Sequence, residues 1–225
     1  MPDFSKRSFE KELLDNEEIP FEDIAVTLDE LHFINTWLGG YNATRYGLKQ
    51  VLMEKPKRVR IVDVGCGGGH NLVEINKWCQ KAGIEADLVG IDLKSECTQY
   101  AANNTANYPN ITYITSDYRD VKEDFDIIHS CLFTHHLNDE QLKEYLGWAR
   151  KFSRRGIIIN DLHRNYLAYY SIKWLTKFFS NSYLVKNDAC LSVLRSFKVK
   201  DWKKFLPEAK NHWNWAFRYT TYLKK

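Results

Sequence analysis

Residues 59–70 read VRIVDVGCGGGH, and the reading of the whole chain starts from them. Val59 to Val64 is a short β-branched run of the kind that forms a buried strand, and it ends abruptly in Gly65-Cys66-Gly67-Gly68-Gly69. A helical pattern begins at once, with apolar positions at Leu72, Ile75, Cys79 and Ala82, and Gly83 stands where a helix C-terminus wants a left-handed residue. Leu88 to Ile91 then makes a second apolar strand with Asp92 at its carboxyl end. Strand, glycine turn, helix and a second strand ending in an acid describe the nucleotide half-site of a doubly wound α/β fold. Glycine lets the backbone approach a ligand closely, and the acid accepts hydrogen bonds from ribose hydroxyls.

The spacing of the turn narrows the ligand. A dinucleotide fingerprint runs G-x-G-x-x-G, whereas here the third glycine comes one residue early and His70 holds the dinucleotide position. Asp63 also precedes the first glycine by two residues. A carboxylate aimed at this turn would repel a pyrophosphate and suits a ligand carrying an ammonium group. The D-x-G-x-G-x-G pattern with Asp92 beyond it resembles motif I and the ribose acid of the class I S-adenosylmethionine-dependent methyltransferases. A nicotinamide dehydrogenase is disfavoured by the same spacing.

The bulk numbers are compatible with that resemblance. A chain of 225 residues with 44% hydrophobic and 14% aromatic content can bury a sizeable core. A net charge of +3 is too mild to indicate nucleic acid as a partner. Cys66, Cys79, Cys97, Cys131 and Cys190 are odd in number and scattered, which reads as reduced thiols in a cytoplasmic protein. The charged N-terminus has no signal-like apolar core, and no run is long enough to span a membrane.

Along the chain, 9–14 reads as a short helix or an arm, and helices are expected over 23–38 and 41–53, separated by Gly39-Gly40. Residues 1–55 would thus form a helical lid or cap on a methyltransferase domain spanning 56–225. Within that domain strands are expected near 59–64, 88–91, 111–115, 125–129 and 156–160, alternating with helices, which predicts a parallel sheet with right-handed crossovers. The stretch 165–179, NYLAYYSIKWLTKFF, looks like an inserted helix, within a substrate-covering insertion of about 164–206. Residues 212–223 alternate large apolar and polar residues as antiparallel strand material, as one strand or a pair. The expected architecture is a seven-stranded, mostly parallel doubly wound sheet.

Ligands of such sheets bind outside the strands' carboxyl ends, which carry Asp63 to Gly69, Asp92, Asp117-Tyr118, His129-Ser130 and Asn160 to His163. The resemblance implies S-adenosylmethionine as cofactor, S-adenosylhomocysteine as product, and cofactor contacts from Asp63, Gly65, Cys66, Gly67, Gly69, Asp92, Leu93, Asp117, Tyr118 and His129. Asp117 takes the place of the acid that receives the adenine amino group. The segment FDIIHSCLFTHHL, 125–137, resembles the stretch at and after the fourth strand in ubiquinone-type and related small-molecule methyltransferases. It makes His135 and His136 candidates for a general base, because imidazole titrates near neutrality. Asn35, Asp161, Arg164 and Tyr169 are candidate substrate contacts. His129, His135, His136 and His163 match no common zinc spacing, and no acid closes the fourth strand, so no metal is expected.

The expected activity is methyl transfer to an oxygen of a small aromatic metabolite of the phenol, quinol or polyketide kind. No nucleic acid or membrane span is expected, and the protein would be a monomer or homodimer. The looser likeness of INTWLGG and NDLHRNYLAYY to bacterial polyketide and pigment-pathway methyltransferases points the same way. A carbon or nitrogen acceptor, or a catalytically silent cofactor-binding partner protein, are the competing readings.

Overall fold

The computed structural model describes residues 2–16 and 18–225. The expected half-site forms as β1 (Arg58–Val64), α3 (His70–Ala82) and β2 (Glu85–Asp92). Gly69 and Gly83 cap α3 at its two ends, both in the left-handed region at φ +74° and +72°. The chain continues through α4 (Ser95–Asn104), β3 (Ile111–Thr115), β4 (Phe125–Cys131), α5 (Asp139–Phe152) and β5 (Ser153–Leu162). α5 starts at a capping box in which Asn138 and Gln141 each bond the other's backbone N–H at 2.9 Å.

The ambiguous tail resolves into two strands, β6 (Lys210–Asn214) and β7 (Arg218–Lys224). The result is one seven-stranded sheet in the order β3-β2-β1-β4-β5-β7-β6. The first five strands run parallel; β7 pairs antiparallel with β5 and β6, so a hairpin closes that side. Period-2 alternation sorts the core onto two faces. Val62, Val64, Ile128, Ile157 and Ile159 pack with Leu142, Tyr145 and Ala149 of α5. Ile61, Ile127 and Ile158 face the other way, onto Leu72 and Ile75 of α3.

Two helices precede the sheet, α1 (Phe21–Trp37) and α2 (Gly40–Val51). α2 lies flat on β5 and β7: Leu48 joins the second core face, and Gly47 sits so close to Ile158 that a Cβ there would meet its Cγ2 at 2.5 Å. Of residues 2–55, α1 and the N-terminal arm (2–16) lie over the sheet's carboxyl edge, while α2 reaches it with Tyr41 and otherwise covers β5 and β7.

After β5 come α6 (Tyr166–Phe179), α7 (Tyr183–Arg195) and α8 (Val199–Phe205). α7 escapes sequence reading because α6, α1 and the arm pack around it, so its apolar residues form no single stripe. The aromatic stripe of α6 does not line a pocket. Tyr166, Trp174, Phe178 and Phe179 are exposed, and the inward face is Ala168, Ser171, Ile172 and Leu175. No described helix is long and apolar enough to cross a membrane.

Candidate active site

Two cavities open at the carboxyl edge of the sheet. The larger, about 490 Å³, is walled by the glycine turn, the ends of β2 and β3, and Leu28, Leu31 and His32 of α1. The turn is folded back over β2: the N–H groups of Gly65 and Cys66 both donate to the Ile91 carbonyl, at 2.9 and 3.1 Å. Asp92 closes it from the other side, its Oδ2 accepting from Gly67 N at 2.9 Å and its Oδ1 from Lys94 N at 3.2 Å. Each oxygen keeps a lone pair for a ligand hydroxyl. Burial raises the Asp92 carboxyl above its ordinary range, against the pull of the Gly67 and Lys94 N–H groups. Gly67, at φ +49°, is in the left-handed region that strains other residues, and a Cβ there would stand 2.9 Å from the Leu28 side chain, which would have to shift.

The other expected cofactor residues divide into those that face this cavity and those behind it. Gly65, Cys66, Leu93, Asp117 and Tyr118 line it. Asp117 is held by Arg119, whose Nε and Nη2 donate to its two oxygens at 3.0 and 2.7 Å. Asp63 reaches the wall but is almost wholly buried, accepting from His129 Nδ1 at 2.8 Å and from Asn71 at 3.4 Å. His129 lies behind Asp63, with Thr44 on its other nitrogen at 3.2 Å, and lines neither cavity. A bound ligand would touch Asp63, and His129 would act only through it. Gly69 likewise caps α3 against Tyr113 rather than facing the cavity.

The second cavity, about 310 Å³, lies between α1, α6, α7 and the β6–β7 turn and is walled mainly by leucine, isoleucine, valine and alanine. It meets the first at Leu14, Leu31, Leu132 and His136, which line both. Leu132 holds this junction in a left-handed conformation, φ +53°, which costs a branched residue energy and recurs at functional sites. The turn Thr134–His136 beyond it is pinned from all sides. Arg7 donates to the carbonyls of His135 and Leu137, and Arg195 to those of His135 and His136. Asp161 accepts from Thr134 Oγ1 at 2.5 Å, from His135 N at 3.0 Å and from His135 Nδ1 at 2.7 Å. Burial works against the Asp161 charge, yet His135 and these donors bring its carboxyl down to about 2.

Glu12 completes the junction. It comes from the arm, is buried, and faces the Nε2 atoms of His135 and His136 at 3.7 and 3.8 Å. Burial pushes its carboxyl up to about 7, against His136, Arg195 and Ser192. Sequence reading misses Glu12, a lone acid in a charged arm with no motif around it.

Of the expected substrate contacts, Asn35 lines the larger cavity, its Oδ1 accepting from Arg218 at 2.6 Å. Asp161, Arg164 and Tyr169 line neither cavity, which corrects their assignment as direct contacts. Asp161 orients His135. Arg164 is fully buried against Phe4, Ser196 and Asp201, and Tyr169 packs edge-on to Phe4 at 5.7 Å.

This sheet order with a glycine turn and an acid after β2 defines a Rossmann-like methyltransferase fold. Residues 61–156 match the methyltransferase domain family. The plantazolicin methyltransferase BpumL in complex with S-adenosylhomocysteine superposes with a TM-score of 0.68 at 19% identity, over 93% of this chain and 91% of that one. A putative S-adenosylmethionine-dependent methyltransferase of Methanococcus maripaludis gives 0.62 at 12% identity, over 94% and 96%. The magnesium protoporphyrin IX methyltransferase of Synechocystis, also with bound S-adenosylhomocysteine, gives 0.55 at 16%, over 93% and 89%. No curated protein matches the sequence. Residues 61–156 thus match a methyltransferase domain, and the chain shares its fold with solved methyltransferases that hold S-adenosylhomocysteine.

Proposed function

We propose that the protein methylates an oxygen of a small, largely apolar aromatic acceptor held in the 310 Å³ cavity. The observation that carries this reading is the junction. An apolar cavity of that size meets the larger cavity beside two imidazoles and a carboxylate, the groups that take a proton from a hydroxyl. The cofactor in this reading is S-adenosylmethionine, which supplies an electrophilic methyl group, so the protein's task is to align the acceptor and receive its proton. His136, which faces both cavities, is the base in this reading. His135, fixed by Asp161, supports it. Glu12 on the same wall favours, as a second reading, an amine acceptor drawn by the carboxylate. Methyl-transfer assays on matched phenols, quinols and amines test the two. Turnover confined to amines would overturn oxygen methylation, and no turnover on any aromatic acceptor would overturn the acceptor class. The free cysteines agree with an intracellular place of action.

In the same reading Asp92 holds the cofactor ribose, with Gly65 and Gly67 forming its cradle and Asp117, Tyr118 and Leu93 the adenine end. Asp92→Ala is expected to weaken S-adenosylhomocysteine binding by ~1.5–3 kcal/mol, the scale of hydrogen bonds to a charged group. The pH dependence has a defined sign. Protonation turns a carboxylate acceptor into a donor, and the Asp92 carboxyl is raised from 3.8. Affinity should therefore fall on acidification, beginning at a higher pH than an ordinary aspartate would impose. Calorimetry across the acid range, flat in wild type down to the ordinary aspartate range, would contradict this.

Gly67→Val should abolish detectable cofactor binding while the sheet stays folded. The branched side chain collides with Leu28, and φ +49° is unfavourable for it. Retained binding in a folded variant would remove the cradle from the proposed binding mode.

A further inference from the structure

Glu12, His135 and His136 each place one potential ligand atom within 4.8 Å of the others, the one such group among the described residues. Their orientation is more telling than their proximity. His135 turns Nδ1 to Asp161 at 2.7 Å, and His136 turns Nδ1 to Asp15 at 2.8 Å. An ionised carboxylate only accepts, so each Nδ1 donates, and the lone pair of each neutral ring falls on Nε2. Both Nε2 atoms face Glu12, at 3.7 Å from Oε1 and 3.8 Å from Oε2. Those gaps are too long for hydrogen bonds. They lie within the ~4.2 Å that two metal–ligand bonds of about 2.1 Å can span. A ring N–H fixed on a carboxylate, with the other nitrogen free, is how metal-ligating histidines are usually held.

Charge and rigidity agree. Glu12, Asp15 and Asp161 surround the two rings, opposed at contact distance by Arg195, while Arg7 is paired with Asp139. Three carboxylates thus face the two rings and the one guanidinium in contact with them, with Asp15 and His136 reaching solvent. The turn bearing the histidines is already pinned through its carbonyls by Arg7 and Arg195, so the imidazoles are not needed to hold it.

We propose that Glu12, His135 and His136 bind a divalent cation of the zinc class, with an open coordination position facing the acceptor cavity. Two imidazoles and one carboxylate suit zinc, cobalt or iron(II) over magnesium or calcium, which prefer all-oxygen shells. Three protein ligands with an open fourth position is the catalytic form of such a site. Its place at the junction of the two cavities would let the cation polarise an acceptor hydroxyl. With the cation bound, Nε2 of His136 is a ligand and activation of the hydroxyl passes to the cation, so the base role assigned to His136 is that of the metal-free protein. Binding itself does not depend on the proposed reaction.

The test uses the full chain, stripped with a chelator and titrated with Co²⁺, read by visible absorption and displaced by Zn²⁺. Saturation at one equivalent, with the strong bands of low-coordinate cobalt, is expected. Glu12→Gln and His136→Ala should each weaken Co²⁺ binding by more than ~100-fold. Asp15→Asn, which removes the carboxylate that His136 shares with Arg195 and the Glu12 N–H, should weaken it by ~10–100-fold. Unchanged S-adenosylhomocysteine affinity in Glu12→Gln would show that its fold is intact. Absence of saturable Co²⁺ binding, or binding that Glu12→Gln and His136→Ala leave untouched, overturns the site. Intact Co²⁺ binding without methylation of any aromatic hydroxyl overturns the proposed reaction and leaves the site standing.

Discussion

His136→Ala is expected to lower kcat by ~10²–10⁴-fold, the usual cost of losing one positioned base, with cofactor affinity and melting temperature near wild type. The expectation rests on where the ring stands. His136 lines both cavities, is only partly buried, and hydrogen-bonds through its ring to Asp15 at 2.8 Å. Its backbone is held by Arg195 and by Phe133, so truncating the ring leaves the turn in place. A phenol is mostly protonated at neutral pH, and the surviving rate should climb toward alkaline pH as the acceptor ionises unaided. His135→Ala should also lower kcat strongly, but it takes the imidazole from the buried Asp161 carboxylate, which keeps only Thr134 and backbone donors, and should cost stability as well. The contrast between the two variants separates a base from a brace. Near-wild-type kcat in both would mean that alignment alone drives the transfer.

How much of the molecule is legible in the sequence depends on how local each signal is. The strands β1, β2, β4 and β5 declare themselves because their neighbours bury both faces, which leaves apolar runs bounded by turns. The glycine turn is legible because left-handed backbone and close approach exclude other residues at Gly65 and Gly67. The junction is a different matter. Glu12 meets His135 and His136 across more than a hundred residues of chain, and no spacing rule links an acid in an irregular arm to a turn after β4. Which face of α6 meets the cavity is hidden for a related reason. Composition marks a helix with large side chains, but only packing against α7 decides that Ala168, Ser171 and Ile172 face the cavity and Trp174 and Phe178 face outward. Arg164 reads as a substrate contact because it comes just after the strand end where ligands bind, a rule about position that cannot tell which way a side chain turns.

Arg164→Ala should cost ~3–5 kcal/mol of stability, the range for removing one partner of a buried ion pair. For a chain of this size that corresponds to a fall in Tm of roughly 6–20 °C. The guanidinium is fully buried and joins three segments that are distant in sequence. Nε donates to the Phe4 carbonyl at 3.2 Å, Nη1 to the Ser196 carbonyl, and Nη2 to Asp201 at 2.9 Å. Truncation takes the guanidinium from Asp201, which keeps Lys198 N at the start of α8, and leaves the carbonyl of Ser196, a fully buried residue, without this donor. Lysine keeps the charge but lacks the planar fork that serves three acceptors, so Arg164→Lys should recover only part of the loss. A substrate-contact role predicts the opposite pattern, a raised KM with little change in Tm, and measuring both on one preparation decides between them. The consequence for catalysis is indirect. Phe4 begins the arm that delivers Glu12 and Asp15 to the histidines. Loosening that anchor should therefore lower kcat modestly at temperatures where the rest of the fold still holds, and the deficit should grow on warming before global unfolding begins.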